Sequence, residues 1–360
     1  MTDRSNGNIS NLRMKMQLLS GTAISTGSEL VSWFGAIQGQ EYAFSKWSIG
    51  LRIPALKETD IEQDLNKGSI LRTHLLRATW HIVHADDLRW ILQLTAPRID
   101  SNNAVMYRRL ELDKFVFNKT NEILETILDK QQLTRQEISD ALERNKIAAT
   151  GMRLIYILMK AEIDGIICSG ARLGKHFTYA SLKDRAPKAG IREADEALAM
   201  LTRKYFRSRG PATVYDFATW SGLTISSCRR GIDFIRNELE LNLMNSRDYY
   251  HMATGESNGT AEGPFLLPVY DEFIMGYKDR SAMFSLLNEN RNRGELFFNN
   301  MILYKGQVIG TWKRSPVKNR MEFEFNLLIK VNRNVKQKLI SEAKRFADFY
   351  GLTATLLQPL

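Results

Sequence analysis

One layout recurs along this chain and restricts its fold more than any other feature: two short helices, then a strand pair. In the clearest copy, Thr134-Arg135-Gln136-Glu137 has the form of a capping box at a helix start. Ile138, Ala141 and Leu142 follow at the spacing of an inner helical face. A second helix is expected to carry Met152, Ile155, Tyr156, Met159 and Ile163 inward and to stop near Asp164-Gly165. Ile166-Ile167-Cys168 reads as a strand, Gly170 to Lys175 as a tip, and His176 to Ala180 as the returning strand. Helix, turn, helix, strand, wing, strand is the order of a winged helix-turn-helix. In that unit the second helix can enter the major groove while the hairpin touches backbone or minor groove.

The order returns downstream. Thr213-Val214-Tyr215-Asp216 opens a helix, Ser221-Gly222-Leu223 makes the turn, and Thr224 caps a helix bearing Arg229, Arg230, Ile232 and Ile235. Leu239 to Leu243 and Tyr249 to Met252 are the expected strand pair. Upstream the pattern is looser. A helix from Thr59 to Gly68 precedes strands at Ile70–Leu75 and Trp80–Val83, and Asp86 or Asp87 caps a helix closed near Pro97. Past Gly263 the chain turns β-rich. Phe265 to Tyr270 enters as a buried strand, Met301 to Trp312 is a hairpin turning at Gly306, and Met321 to Phe325 alternates with period two. Arg280 to Asn300 reads as a polar loop, and Asn334 to Tyr350 as a closing helix with Val335, Leu339, Ala343 and Phe346 inward.

With 360 residues, 44% of them hydrophobic, the chain exceeds one domain and can bury a sizeable core. No apolar run reaches membrane-spanning length, and Met1 to Asn11 lacks the apolar core of a secretory signal. Cys168 and Cys228 are far apart and belong to no metal-ligand spacing, so reduced core thiols, a cytoplasmic location and no metal are expected. A net charge of +10 favours a polyanionic partner, nucleic acid first.

Leu30, Trp33, Phe34 and Ile37 recur at helical spacing, with Ser28 placed to cap the start and Gly39 to end the helix. Gln38 then falls in the last turn and Gln40 just beyond it. A break at Gly39 could aim both amides into one cleft; the plainer reading is two polar residues at a helix end. Other candidate contacts to a polyanion are cationic. Arg172, Lys175 and His176 sit at the wing tip, where they either meet phosphates or serve solubility. Arg72 and His74 share one strand face, with Arg77 in the following turn. Arg229 and Arg230 lie on a helix, and Arg280 faces either a phosphate or an ion pair with Asp271 or Asp279. His81 reads as a satisfied, semi-buried imidazole, and Glu41 as a surface or cap residue rather than a base.

Several blocks in matching order resemble one known family. They are Val31-Ser32-Trp33, Gln38 to Ala43, Lys46 to Arg52, Leu71 to His81, Leu266 to Asp271, Tyr277 to Arg280, and Gly306 to Trp312. Together they resemble the winged-helix DNA glycosylases of the AlkZ type, which unhook DNA interstrand crosslinks and remove alkylated purines. The resemblance implies an α+β fold with three tandem winged helix-turn-helix units and a C-terminal β-barrel-like domain. The units are expected at 10–112, 113–188 and 189–255, and the last domain at 262–360. The family's catalytic signature, glutamine–aliphatic–glutamine, falls on Gln38 and Gln40, but Gly39 replaces the aliphatic residue. Ala78 stands where the family has proline.

No lysine nucleophile falls in the motif, so a monofunctional hydrolase leaving an abasic site is expected, with no cofactor, acting on double-stranded DNA as a monomer. An N7-alkylated purine is already cationic and leaves readily, so oriented amides can suffice where other hydrolases need a strong acid. The alternative is a non-enzymatic winged-helix DNA-binding protein or transcriptional regulator, which usually needs dimer symmetry and one reading module.

Overall fold

Residues 27–84 and 114–181 run through one order of elements. The computed structural model describes residues 2–244, 246–253, 263–287 and 293–358. In the first stretch, helix Gly27–Phe34 leads to the two-residue strand Ile37–Gln38, helices Tyr42–Arg52 and Glu58–Lys67, and strands Ile70–Leu75 and Thr79–His84. In the second, helix Lys114–Ile127 leads to strand Gln132–Thr134, helices Arg135–Arg144 and Gly151–Ile163, and strands Ile167–Ser169 and Thr178–Ser181. In both sheets the last strand lies between the other two, and all pairings are antiparallel. Residues 194–252 follow a reduced version. Helices Ala194–Arg209, Val214–Ser221 and Ile225–Phe234 precede the hairpin Leu239–Met244/Arg247–Met252, and a single bridge, Ala212 to Tyr250, replaces the first strand.

Local chemistry sets these boundaries. Reciprocal capping boxes pair Thr134 with Glu137, Thr213 with Asp216 and Thr26 with Glu29, so Thr26 rather than Ser28 caps the helix Gly27–Phe34. The helix of Leu30, Trp33 and Phe34 stops earlier than its apolar period implies. Gly35 adopts φ 76° and ends it, and Ile37 is buried from a strand instead. Gln38 is therefore a strand residue, not the last turn of a helix. Helix Leu88–Arg109 runs through Pro97 rather than closing there. Pro97 and Gln93, whose carbonyl it leaves unbonded, both lie on the exposed side, where water can satisfy that group. On Gly151–Ile163 the inward face is Leu154, Ile157, Leu158 and Ala161, while Met152 and Ile155 point outward.

The C-terminal region is an open five-stranded sheet, not a closed barrel, among the described residues. Its strands run Thr353–Leu356, Arg320–Leu327, Gln307–Val317, Asn300–Tyr304 and Phe265–Leu267, and the first of these pairs in parallel. Helix Arg333–Phe349 covers it with Val335, Leu339, Ala343 and Phe346 buried. The expected loop at 280–300 holds the short turns Ser281–Phe284 and Arg293–Leu296, and residues 288–292 lie outside those described.

One core joins the two ends of the chain. Leu30, Phe34, Trp47 and Ile82 pack with Leu266, Phe273, Trp312 and Phe346. Trp47 donates its indole N–H to the Leu266 carbonyl at 2.7 Å and sets its ring edge-on to Phe346 at 4.6 Å. Burying such a side chain is worth roughly 1.5–3 kcal/mol, and a ring pair about 0.5–1.5 more.

Candidate active site

Gln38 is held by its backbone. Its strand pairs Ile37 with Ile82 and Gln38 with His81, and the Gln38 N–H donates to Glu272 Oε1 at 2.7 Å. The side chain is 6% exposed, and its Oε1 accepts the Gly39 N–H at 3.2 Å. Its amide nitrogen has no protein partner among the described residues, which leaves two N–H donors for a ligand or water. Gly39 lies flat on the neighbouring strand. A Cβ there would stand 3.0 Å from the His81 carbonyl carbon, and the Gly39 N–H reaches the Trp80 carbonyl at 2.7 Å. A larger residue there would require the neighbouring strand to give by a few tenths of an ångström. Gln40 is exposed, and Glu41, also exposed, is the N-cap of Tyr42–Arg52.

Beneath the motif lies a buried ionic layer. Glu272 pairs with Arg209 at 2.6 Å, and Arg209 also donates to the carbonyls of Phe34 and Ala36, each at 2.8 Å. Arg52 forms a two-pronged pair with Asp271, both contacts at 2.9 Å, and reaches Gln17 Oε1 at 2.9 Å. Gln17 in turn donates to the Glu272 carbonyl and to the Tyr277 hydroxyl. Burial alone would raise the Asp271 carboxyl, but Arg52, Ser48 and the Phe273 N–H bring it below its usual range. His81 is buried beside this layer. Burial, helped by Arg77 and Arg209, pushes the imidazole down to about 3. Its Nδ1 stands 2.8 Å from the Thr79 carbonyl and so carries the hydrogen. A base so weak takes no proton near neutral pH.

The first and second stretches enclose a cleft of about 870 Å³, lined by Tyr42, Arg72, Trp80, Arg135, Arg172 and Phe177 among others. Arg72 spans from this cleft to the motif, donating Nε to the Gly39 carbonyl at 2.8 Å. Its guanidinium lies 4.0 Å from the Trp80 ring centre, and burial lowers its pKa from the ordinary arginine value. Arg172 rests on Phe177 and Tyr42, at 5.1 and 5.4 Å. Lys175 and His176 are exposed at the tip, beside Phe177 (45% exposed) and Leu173 (64%).

The remaining sequence candidates scatter. His74 is buried, lies against Trp80 with the rings tilted by 40°, and shares a hydrogen bond with the buried Glu162 through Nδ1, so that nitrogen faces protein rather than solvent. Arg77 closes the end of helix Val214–Ser221 through the carbonyls of Thr219 and Trp220. Arg280 donates to the Ile274 carbonyl at 2.8 Å and covers the Phe297 ring. It pairs with neither aspartate: Asp271 belongs to Arg52, and Asp279 to Arg247. Arg229 and Arg230 are exposed; Arg229 lines a second cleft with Tyr215 and Lys278, and Arg230 pairs with Asp195. Cys168 and Cys228 are free and buried, and burial pushes both thiols up to about 12.

Glu272 and Arg209 carry the motif, yet neither stands out in the sequence. The one available signal is Asp271-Glu272 set directly against the apolar run Phe273-Ile274-Met275, where two carboxylates would need buried cations.

Comparison with known proteins adds three findings. The DNA glycosylase AlkZ-like family matches residues 31–349. The interstrand DNA cross-link repair glycosylase of Streptomyces sahachiroi is 22% identical over 317 residues, covering 84% of this chain and 85% of that protein. The solved structure of the Streptomyces sahachiroi DNA glycosylase AlkZ superposes with a TM-score of 0.79 at 20% identity, covering 98% of this chain and 99% of that one.

Proposed function

This chain belongs to the AlkZ-like family of DNA glycosylases, and on that premise we propose that it removes N7-alkylated purines, including those tethered in interstrand crosslinks, through Gln38 and Gln40. The family reaction is hydrolysis of an N-glycosidic bond in DNA. Water adds to the sugar C1′ and the C1′–N9 bond breaks. Its electron pair neutralises the cationic purine, the water's extra proton passes to solvent, and an abasic site remains. Because the leaving group is cationic, the protein needs dipoles placed beside an oxocarbenium-like sugar more than it needs an acid.

A single arrangement supports these roles: Gln38 is tied down through its backbone and its oxygen, so its N–H donors are the groups left to act. Gln38 donates to the attacking water or a flanking phosphate, and the exposed Gln40 accepts a water hydrogen. We assign the three helix-rich stretches as winged helices that hold one duplex as a monomer, and the open sheet as the brace of the first. Arg172, Lys175, His176, Arg229 and Arg230 are the proposed phosphate contacts.

The test is incubation with duplex carrying N7-methylguanine or a nitrogen-mustard crosslink, then alkaline cleavage at abasic sites. Gln38→Ala and Gln40→Ala are each expected to slow release about 10-fold or more, as loss of a placed dipole does, with a much smaller change in duplex affinity. Absence of any base release by the wild-type protein would sink the proposal, as would wild-type rates in both variants.

A further inference from the structure

Between the two glutamines the chain has no side chain to hold it. The orientation of that turn depends on the hydrogen bonds of Gly39: its N–H to Trp80 and its carbonyl to Arg72 Nε, 2.8 Å away. Nη2 of the same arginine stands 3.5 Å from the Gln40 carbonyl. Arg72 is in turn gripped by the second stretch. Its own backbone N–H donates to Ser169 Oγ at 2.9 Å, and Phe177 and Tyr42 flank its guanidinium at 5.3 and 5.8 Å from their ring centres. Among the described residues no carboxylate pairs with it, so nothing competes with the two peptide carbonyls for its inward donors. An arginine that serves a phosphate turns its fork outward; here Nε faces the peptide between the glutamines.

We propose that Arg72 is a positioning residue for base release: it fixes the Gly39 and Gln40 peptides, and so the direction of the Gln40 amide, while the 167–181 hairpin holds it in place. The proposal rests on Gln38 and Gln40 being the catalytic pair. It makes the second stretch part of the active site, although among the described residues that stretch makes no hydrogen bond to the motif itself. The fork and the flat stacking surface are properties of a guanidinium. An ammonium at that position can bond one carbonyl but neither spans both nor lies on the Trp80 ring.

The experiment compares the full-length wild type with Arg72→Gln and Arg72→Lys on N7-methylguanine duplex, reading the single-turnover rate at saturating enzyme separately from duplex Kd over a salt series. Arg72→Gln is expected to lower the saturating rate about 10-fold or more, with Kd within about twofold and the salt slope unchanged. Arg72→Lys is expected to recover part of that rate. The opposite split, a wild-type saturating rate with weaker binding and a log–log slope reduced by about 0.9, would make Arg72 a phosphate contact and overturn the proposal. If Arg72→Gln fails to fold, Phe177→Leu serves instead: it opens the aromatic box without touching the motif, and an unchanged saturating rate there overturns the proposal equally. Excision that depends on Gln40 but not on Arg72 defeats this inference alone, whereas excision that survives Gln40→Ala defeats the catalytic-pair reading and this inference with it.

Discussion

Arginines lie on both sides of the motif, and the two sides treat them oppositely. Behind it, Arg209, Arg52 and Arg13 are each matched to a carboxylate, Glu272, Asp271 and Asp216, at 2.6, 2.9 and 3.8 Å. In the cleft, Arg72 and Arg172 rest on aromatic rings and backbone carbonyls, and among the described residues neither forms an ion pair, although Glu162 and Glu41 lie near enough to Arg72 to act on it through space. Neutralisation, rather than burial, separates the two sets. A buried cation paired with its acid exports little field and acts as a bracket. A cation resting on a ring face keeps its charge for a third party: the inward donors of Arg72 go to the carbonyls of Gly39 and Gln40, while on the proposed reading Arg172 keeps its charge for a phosphodiester.

The contrast can be broken at several strengths. The largest effect belongs to the interior: Glu272→Leu strands the Arg209 charge and frees the Gln38 N–H, and should cost about 3–5 kcal/mol in denaturant melts. The double variant with Arg209→Met should recover much of that loss; a single variant within about 1 kcal/mol of wild type would erase the distinction. Next comes acid. Because the folded His81 titrates near 3 rather than near 6.5, the unfolded chain binds more protons between those values. Its contribution is complete above about pH 6.5 and is lost as pH falls toward 3, on the order of a few kcal/mol in all. Thermal melts at pH 7 and 5 should therefore differ less in His81→Asn, whose amide can still donate to the Thr79 carbonyl.

The cleft should respond in affinity, not folding. Arg172→Glu with Lys175→Glu is expected to weaken binding to unrelated duplexes and to flatten the log–log salt slope by about 0.9 for each phosphate no longer neutralised. A slope equal to the wild type's would remove the tip from the DNA footprint. The smallest effect is predicted for the exposed Arg230–Asp195 pair, where a double-mutant cycle should give a coupling below about 1 kcal/mol.

Much of this organisation is legible in the residues because its causes are local. Thr134 and Glu137, or Thr213 and Asp216, sit three apart and cap the same helix whatever surrounds them. The inward face of Arg333–Phe349 follows from the 3.6-residue period alone. The motif is legible only through family likeness, and its local structure escapes the helical period for a physical reason. Ile37 continues the spacing of Leu30, Trp33 and Phe34, but it is buried by pairing with Ile82, forty-five positions on. The ionic layer is illegible for the same cause: Arg52 and Asp271 are 219 residues apart, and no pattern in either neighbourhood names the other. The hairpins at 167–181 and 239–252 can be read from their own strand and turn residues, whereas the outward turn of Met152 and Ile155 depends on which neighbours the helix meets.

The bond from Glu272 to the Gln38 N–H has a consequence for how the protein is made. The two residues are separated by 234 positions, and a ribosome adding about 5–20 residues per second takes roughly 10–50 s to pass from one to the other. During that interval the nascent chain carries both glutamines without the carboxylate that fixes them, and without the Leu266 carbonyl and Phe346 ring that seat Trp47. A polypeptide released early therefore lacks the assembled motif, however many basic residues it displays. If the two glutamines act as proposed, competence to break a base from its sugar arrives only late in translation, once Glu272 and the strands and helix beyond it have been made.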